Sequence, residues 1–432
     1  MFAENVVAAN MHFENSQSLA QSLDADDPLK KFRSHFHIPV IHGAEVIYFA
    51  GNSLGLLPKK ARELVAQEFN DWENEGVEAH FKAKNPWFYY HHFHREALAK
   101  IIGAKKEEVT AMNSLTINLH LLLVSFYRPT PKRFKIMMES NAFPSDQYAI
   151  ETRVRHHGFH PNEAIIEIKP RNGELTIRTE DILKVISENK NELATVMFGG
   201  VNYLTGQLFD MKAITEAGHH AGAYVGFDLA HAAGNAVMDM HGWNVDFACW
   251  CSYKYLNSGP GGVGGIFVHE KHANDFTLPR FAGWWGNDET TRFEMRKGFI
   301  PQPGAAGWQV SNAPVFPMAI HRASLEIFEE AGMENLRSKS ELLTGFLEFI
   351  IEEYNQNNPD RPLKIITPKN SSERGCQLSL MADTYGKKIF KSLTAARVVC
   401  DWREPNVIRM APVPLYNSFE EVFHLGQLLN SA

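Results

Sequence analysis

Six short apolar runs recur through the middle of the chain, at residues 134–138, 164–168, 194–198, 223–227, 245–250 and 263–268. Most are too short to be helices, and helix-like or turn-rich segments separate them. Apolar runs without a polar alternation belong to strands buried on both faces. Strands of that kind, alternating with helices, build a largely parallel sheet covered on both sides. The predicted fold class is therefore α/β.

Flanking patterns divide the chain. Ala61, Leu64, Val65, Phe69 and Trp72 recur at helical spacing ahead of the first run. Past residue 320 the texture changes. Leu342, Leu343, Phe346, Leu347 and Ile350 mark a helix, and the polar stretch 355–362 reads as a surface loop. Strand-like runs follow at 363–366 and 377–381, then a last helix near 419–429. The expected organisation is a large domain over residues 59–319 and a smaller α+β domain over 320–432. Residues 1–58 are expected to fold back onto the smaller one.

Charge and cysteine content narrow the function. The net charge is −7, spread along the chain without a long basic run, which argues against nucleic acid or an anionic membrane as the main partner. No apolar stretch reaches the length of a membrane span. The first twenty residues lack the basic start, apolar block and cleavage site of a secretory signal. Four cysteines, with no C-x-x-C pair, are too few for a disulfide framework. Cys249 and Cys251 read as buried thiols on one strand face. A cytoplasmic protein acting on a small molecule is the expectation.

The richest stretch runs from Tyr224 to Gly265. Asp228 ends one apolar run, where open α/β sheets place ligand groups. Lys254 follows the next run, twenty-six residues on, and leads into a loop holding Gly259, Gly261, Gly262, Gly264 and Gly265. Pyridoxal phosphate needs such a pair: an amine to take its aldehyde and an acid to keep its ring nitrogen protonated. Alone, Asp228 reads equally as a helix cap and Lys254 as a solvated strand-end lysine. Further upstream, Ser114 or Thr116 can cap a helix built on Leu119, Leu122 and Leu123, whose N-terminus suits a phosphate. Phe143 offers an aromatic face, with Ser145 and Asp146 beside it; an exposed turn is the alternative.

These residues sit in motifs with a wider likeness. YFAGNSLGL (48–56), NSLT (113–116), FPSD (143–146), GFDLAHAAGN (226–235), CWCSYKYLN (249–257), GWWG (283–286), SNAP (311–314), RGCQLSL (374–380) and IRMAPVPLYNS (408–418) all resemble the kynureninase family, over nearly the whole chain. The resemblance implies the pyridoxal-phosphate-dependent transferase-like fold (fold type I) and a homodimer with shared active sites. It implies that Lys254 carries the cofactor and that Asp228 partners the ring nitrogen. Further cofactor contacts implied are Leu115, Thr116, Phe143, Pro144, Ser145, Asp146, His231, Ser252 and Tyr253. Trp284 and Asn312 match positions that reach the site across the dimer interface.

The implied reaction is hydrolysis of kynurenine or 3-hydroxykynurenine to anthranilate or 3-hydroxyanthranilate plus alanine. Arg409 resembles the clamp for the substrate α-carboxylate, which a guanidinium can hold through two parallel hydrogen bonds. Asn52, Ser53, His80 and Asn312 would surround the aryl ketone, and Tyr253 is the candidate proton shuttle. An aminotransferase or a cysteine desulfurase on the same scaffold is the alternative. Neither Cys376 nor Cys400 sits in the mobile, glycine-rich setting that a desulfurase nucleophile needs.

Overall fold

The computed structural model describes residues 11–431. Residues 1–10, half of the segment read above for a secretory pattern, lie outside the described residues, as does residue 432.

A seven-stranded sheet forms the centre of the molecule: β1 (Val109–Ala111), β2 (Lys135–Glu139), β3 (Ile165–Ile168), β4 (Leu193–Gly199), β5 (Tyr224–Asp228), β6 (Phe247–Trp250) and β7 (Gly265–Val268). Their order is β1-β7-β6-β5-β4-β2-β3. Neighbours from β3 to β6 are parallel, while β7 runs antiparallel to both β6 and β1. The six apolar runs are β2 to β7. The three-residue β1 carries no such run and is visible only in the structure.

Successive residues of these strands are buried on opposite faces, which is why the runs do not alternate. Val196 and Phe198 enter one core, Ala194 and Met197 the other; Ala248 and Trp250 part from Phe247 and Cys249 in the same way. Full burial of each large side chain is worth about 1.5–3 kcal/mol. Parallel neighbours need crossovers, and helices supply them. Helix Met211–His220 starts where Asp210 accepts a hydrogen bond from the Ala213 amide at 2.9 Å. Helix Thr179–Glu188 docks through Ile182 and Ile186, one turn apart.

A second, antiparallel sheet holds β8 (Lys364–Ile365), β9 (Leu378–Met381), β10 (Asp401–Arg403) and β11 (Val407–Met410) in the order β8-β9-β11-β10. Helices Met333–Asn357 and Phe419–Asn430 share a core with it. The polar stretch 355–362 is not all loop, because the helix continues through Asn357. Asn355 binds both backbone groups of Leu363, donating to its carbonyl at 3.0 Å and accepting from its amide at 2.7 Å. That pair of bonds rewards an asparagine in the last turn. The N-terminal segment packs here too. Ile47–Tyr48 pairs in parallel with Val398–Val399, and Asp27 forms a buried 2.7 Å ion pair with Lys339.

Candidate active site

Four central strands point their carboxyl ends at one cavity. β2 ends in Glu139, β4 in Gly199 and β5 in Asp228, and the turn after β6 carries Cys251, Tyr253 and Lys254. Parallel strands converge on such a crevice, and their connecting loops rim it. Asp228 and Gly199 are register partners on β5 and β4, which fixes how the ends align. Lys254 and Asp228, read from sequence as a pair, do line the same space.

The Lys254 Nζ donates to His231 Nε2 at 2.9 Å and lies 5.8 Å from the Phe143 ring centre. Burial, followed by the nearby lysine charge, holds His231 well below the usual histidine range, so its imidazole is neutral and free to accept. Asp228 Oδ1 accepts from the Ala230 amide at 2.7 Å. Tyr253 hydrogen-bonds the Cys251 thiol, and burial raises both groups above their ordinary values.

Three acids share this cavity with one lysine. Burial, then the charge of Asp228, pushes Asp146 well above the carboxylate range, and a hydrogen bond joins the two side chains. Asp228 is raised by burial, but Lys254 and the Ala230 amide oppose the shift. Burial thus raises both carboxyls of this pair, and the Lys254 charge opposes the shift at each. Burial lifts Glu139 to about 7 against the opposing hydrogen bond from the Gly199 amide, with Asp228 adding a smaller push upward.

Helix Leu115–Phe126 opens at the cavity wall, and Leu115 and Thr116 line it. Ser114 takes the cap position, but neither it nor Thr116 caps the helix; the Ser114 side chain makes no cap hydrogen bond. That corrects the expected cap and leaves the first amides without a side-chain acceptor, as an anion site requires. A Cβ on Gly264 would sit 2.7 Å from the Trp250 carbonyl and 3.3 Å from the Leu115 amide, so only glycine lets the loop close against the helix start.

Arg409 lies beyond this cavity, fully buried on β11. It donates to the Tyr203 carbonyl at 2.6 Å and to Ser53 Oγ at 3.2 Å, and pairs closely with Asp401, its register partner on β10. Burial raises Asp401, but Arg409 and Ser53 outweigh it, and the carboxyl sits below its ordinary value. Asn52 is buried and donates to Gln377 at 2.9 Å; Gln377 in turn donates to the same Tyr203 carbonyl at 3.1 Å. The Tyr203 ring meets Phe143 edge-on at 5.3 Å. Tyr203 thus joins the arginine to the aromatic wall.

The other expected residues fall into two groups. Ser145 lines the cavity, Pro144 starts the helix behind it, and Ser252 is buried next to Tyr253 with its hydroxyl unpartnered. His80, Trp284 and Asn312 do not line it. His80 Nδ1 donates to the Val77 carbonyl of its own turn at 3.0 Å and its ring packs on Trp87 at 5.4 Å, and Trp284 is 49% exposed. Sequence reasoning missed Glu139, Gly199, Val201, Tyr203, Ala230 and Cys251. Glu139 carried one usable signal, an acid closing an apolar strand in the manner of Asp228.

Comparison with known proteins gives the family. Residues 47–365 match the family model described as aminotransferase class-V, and residues 336–429 that of the kynureninase C-terminal domain. A kynureninase of Flavobacterium psychrophilum is 55% identical over 97% of this chain and 98% of its own. The kynureninase of Mus musculus is 47% identical over 98% and 95%. Solved structures share the fold at lower identity. C-DES carrying glycine covalently linked to its PLP cofactor superposes with TM-score 0.74 at 17% identity, covering 89% of this chain and 96% of that one. A cysteine desulfurase from Thermococcus onnurineus gives 0.73 at 17%, covering 95% and 97%. With near-full-length identity of this order to proteins from a bacterium and a mammal, the chain belongs to the kynureninase family.

Proposed function

We propose that this chain hydrolyses the Cβ–Cγ bond of kynurenine, 3-hydroxykynurenine or both, releasing anthranilate or 3-hydroxyanthranilate and alanine. It is a pyridoxal-phosphate-dependent hydrolase of carbon–carbon bonds. The observation that carries the residue assignment is the cavity in which Lys254, Asp228, Phe143 and an uncapped helix start meet. Those groups fit the cofactor: an amine for its aldehyde, an acid for its ring nitrogen, an aromatic face and free amides for its phosphate. When bound, the cofactor supplies a protonated ring that withdraws electrons from the substrate Cα.

The chain's own groups do the rest. Asp228, held ionised by Lys254 and the Ala230 amide, keeps the ring nitrogen protonated. Lys254 removes the Cα proton, and neutral His231 accepts its hydrogen bond and steers the amine. Arg409 holds the substrate α-carboxylate, which takes the place Asp401 occupies beside the guanidinium. Tyr253, with Cys251 fixing its hydroxyl, relays a proton to the γ-carbonyl oxygen as water adds there. Asn52 and Ser53 support the Arg409 side, Asn52 donating to Gln377 and Ser53 accepting from Arg409.

We infer a homodimer that completes the substrate end. Phe81, Trp284 and Phe293 are each about half exposed and pack on one another's neighbours, with Phe81 and Trp284 lying 6.2 and 5.7 Å from Phe293. Exposed aromatic patches mark interfaces. Trp284 belongs to this patch and His80 directly precedes Phe81; in the inferred dimer Trp284, His80 and the exposed Asn312 meet the site of a second copy, as the family likeness implies. No described helix is long and apolar enough to cross a membrane; a cytoplasmic enzyme is the reading that the composition supports. Incubation with each kynurenine tests the function. Anthranilate-type fluorescence with equimolar alanine is the expected result, and a keto acid with aminated cofactor would contradict it.

A further inference from the structure

Glu139, like Asp146, is an acid of the cavity to which the proposed chemistry gives no step. It closes β2, is only 4% exposed, and its two oxygens each lie 3.2 Å from the Gly199 amide. A Cβ on residue 199 would come within 2.9 Å of Glu139 Oε1, so glycine at the end of β4 makes room for this carboxyl. Burying an acid at the end of an apolar strand costs several kcal/mol unless it is well bonded. A leucine or methionine would fill the same volume without that cost. The titratable groups facing Glu139 are Asp228 from β5, Asp146 from the helix after Phe143, and Lys254 from the turn after β6.

We propose that Glu139 is a positioning residue of the cofactor seat: bound to the Gly199 amide and facing Asp228, it keeps Asp228 basic enough to hold a proton on the ring nitrogen. The inference rests on the reading of Asp228 as the ring-nitrogen partner. A like charge near a carboxylate raises its affinity for a proton. Above about pH 7, where Glu139 is ionised, Asp228 then shares a proton more strongly with the group it faces. Glutamine at 139 would keep an acceptor for the Gly199 amide but turn amide donors toward Asp228, making it a weaker base. The same bond to Gly199 anchors the segment that leads to Tyr203, whose ring touches Phe143.

The test strips the purified enzyme of cofactor, titrates it with pyridoxal phosphate, and records the ring-nitrogen resonance of bound 15N-labelled cofactor. Asp228→Ala, run alongside, should weaken cofactor binding by about a hundred-fold. Glu139→Gln should weaken it by about ten-fold and move the ring-nitrogen resonance toward its unprotonated position. Glu139→Asp, which keeps the charge, should recover part of both effects. If Glu139→Gln leaves affinity and resonance unchanged while Asp228→Ala loses the cofactor, Glu139 is only filling space and the proposal falls alone. If Asp228→Ala also binds normally, the ring-nitrogen assignment falls and the proposal with it. A fall in melting temperature in Glu139→Gln with no change in the resonance would likewise overturn it.

Discussion

Two halves of the candidate site differ in how complete they are within one chain. At the cofactor end the polar groups are held from within the chain: Asp228 and His231 are buried, Asp228 accepts from the Ala230 amide, and Lys254 donates to His231. At the aryl end the expected residues are scattered: Asn52 is buried against Gln377, while His80 and Trp284 sit at the surface among half-exposed aromatic rings, and none of them lines the cavity of its own chain. On the proposed reading this is a division of labour: the cofactor seat is built on the sheet, whereas recognition of the aryl group falls to segments that the proposed second copy would bring.

That comparison can be broken at either end. The largest effect is expected from Lys254→Ala, which removes the amine that moves the Cα proton. Turnover should fall by a factor of about a thousand or more in stopped-flow assays, and a variant with near-normal rates would end the assignment. Next comes Arg409→Ala, which lies between the two ends. Loss of a bidentate, charge-assisted contact should raise KM roughly a hundred-fold with a smaller change in kcat. Unchanged kinetics would mean the carboxylate is held elsewhere.

Phe81→Asp sharpens the comparison from the other side. A charge in the aromatic patch should shift sedimentation toward monomer and cut turnover at least about ten-fold, while titration shows pyridoxal phosphate still bound. Loss of cofactor in that variant would mean the two halves are not separable. The smallest effect concerns stability of the cofactor-free protein. Glu139 has a folded-state value raised to about 7, so the folded chain binds a proton the unfolded chain has released. Its contribution is complete at low pH and is lost as pH rises from about 5 through 7. Melting temperature should therefore decline across that window, and Glu139→Gln should flatten the decline.

How far these features could be read from sequence follows the same divide. The uniform apolar runs revealed the sheet because burial on both faces leaves a pattern in neighbouring residues. Asp228 and Lys254 stood out because each closes or follows such a run. Glu139 does so as well, yet nothing nearby marked it. Cys251 read as a core thiol because it sits at period two from Cys249, but β6 ends at Trp250 and the turn swings the next residue into the cavity. The Arg409–Asp401 pair is a cross-strand contact in a hairpin whose turn holds Pro405 and Asn406, a signal that was there to use. The path from Arg409 through Tyr203 to Phe143 joins three distant segments, and only folding brings them together.

The direct test of the central claim is to treat the holoenzyme with borohydride, digest it and locate the pyridoxyl label by mass spectrometry. A single labelled peptide modified at Lys254, and no such label in Asp228→Ala prepared at limiting cofactor, is the predicted result. A label on any other lysine, or wild-type protein that takes none, would contradict it.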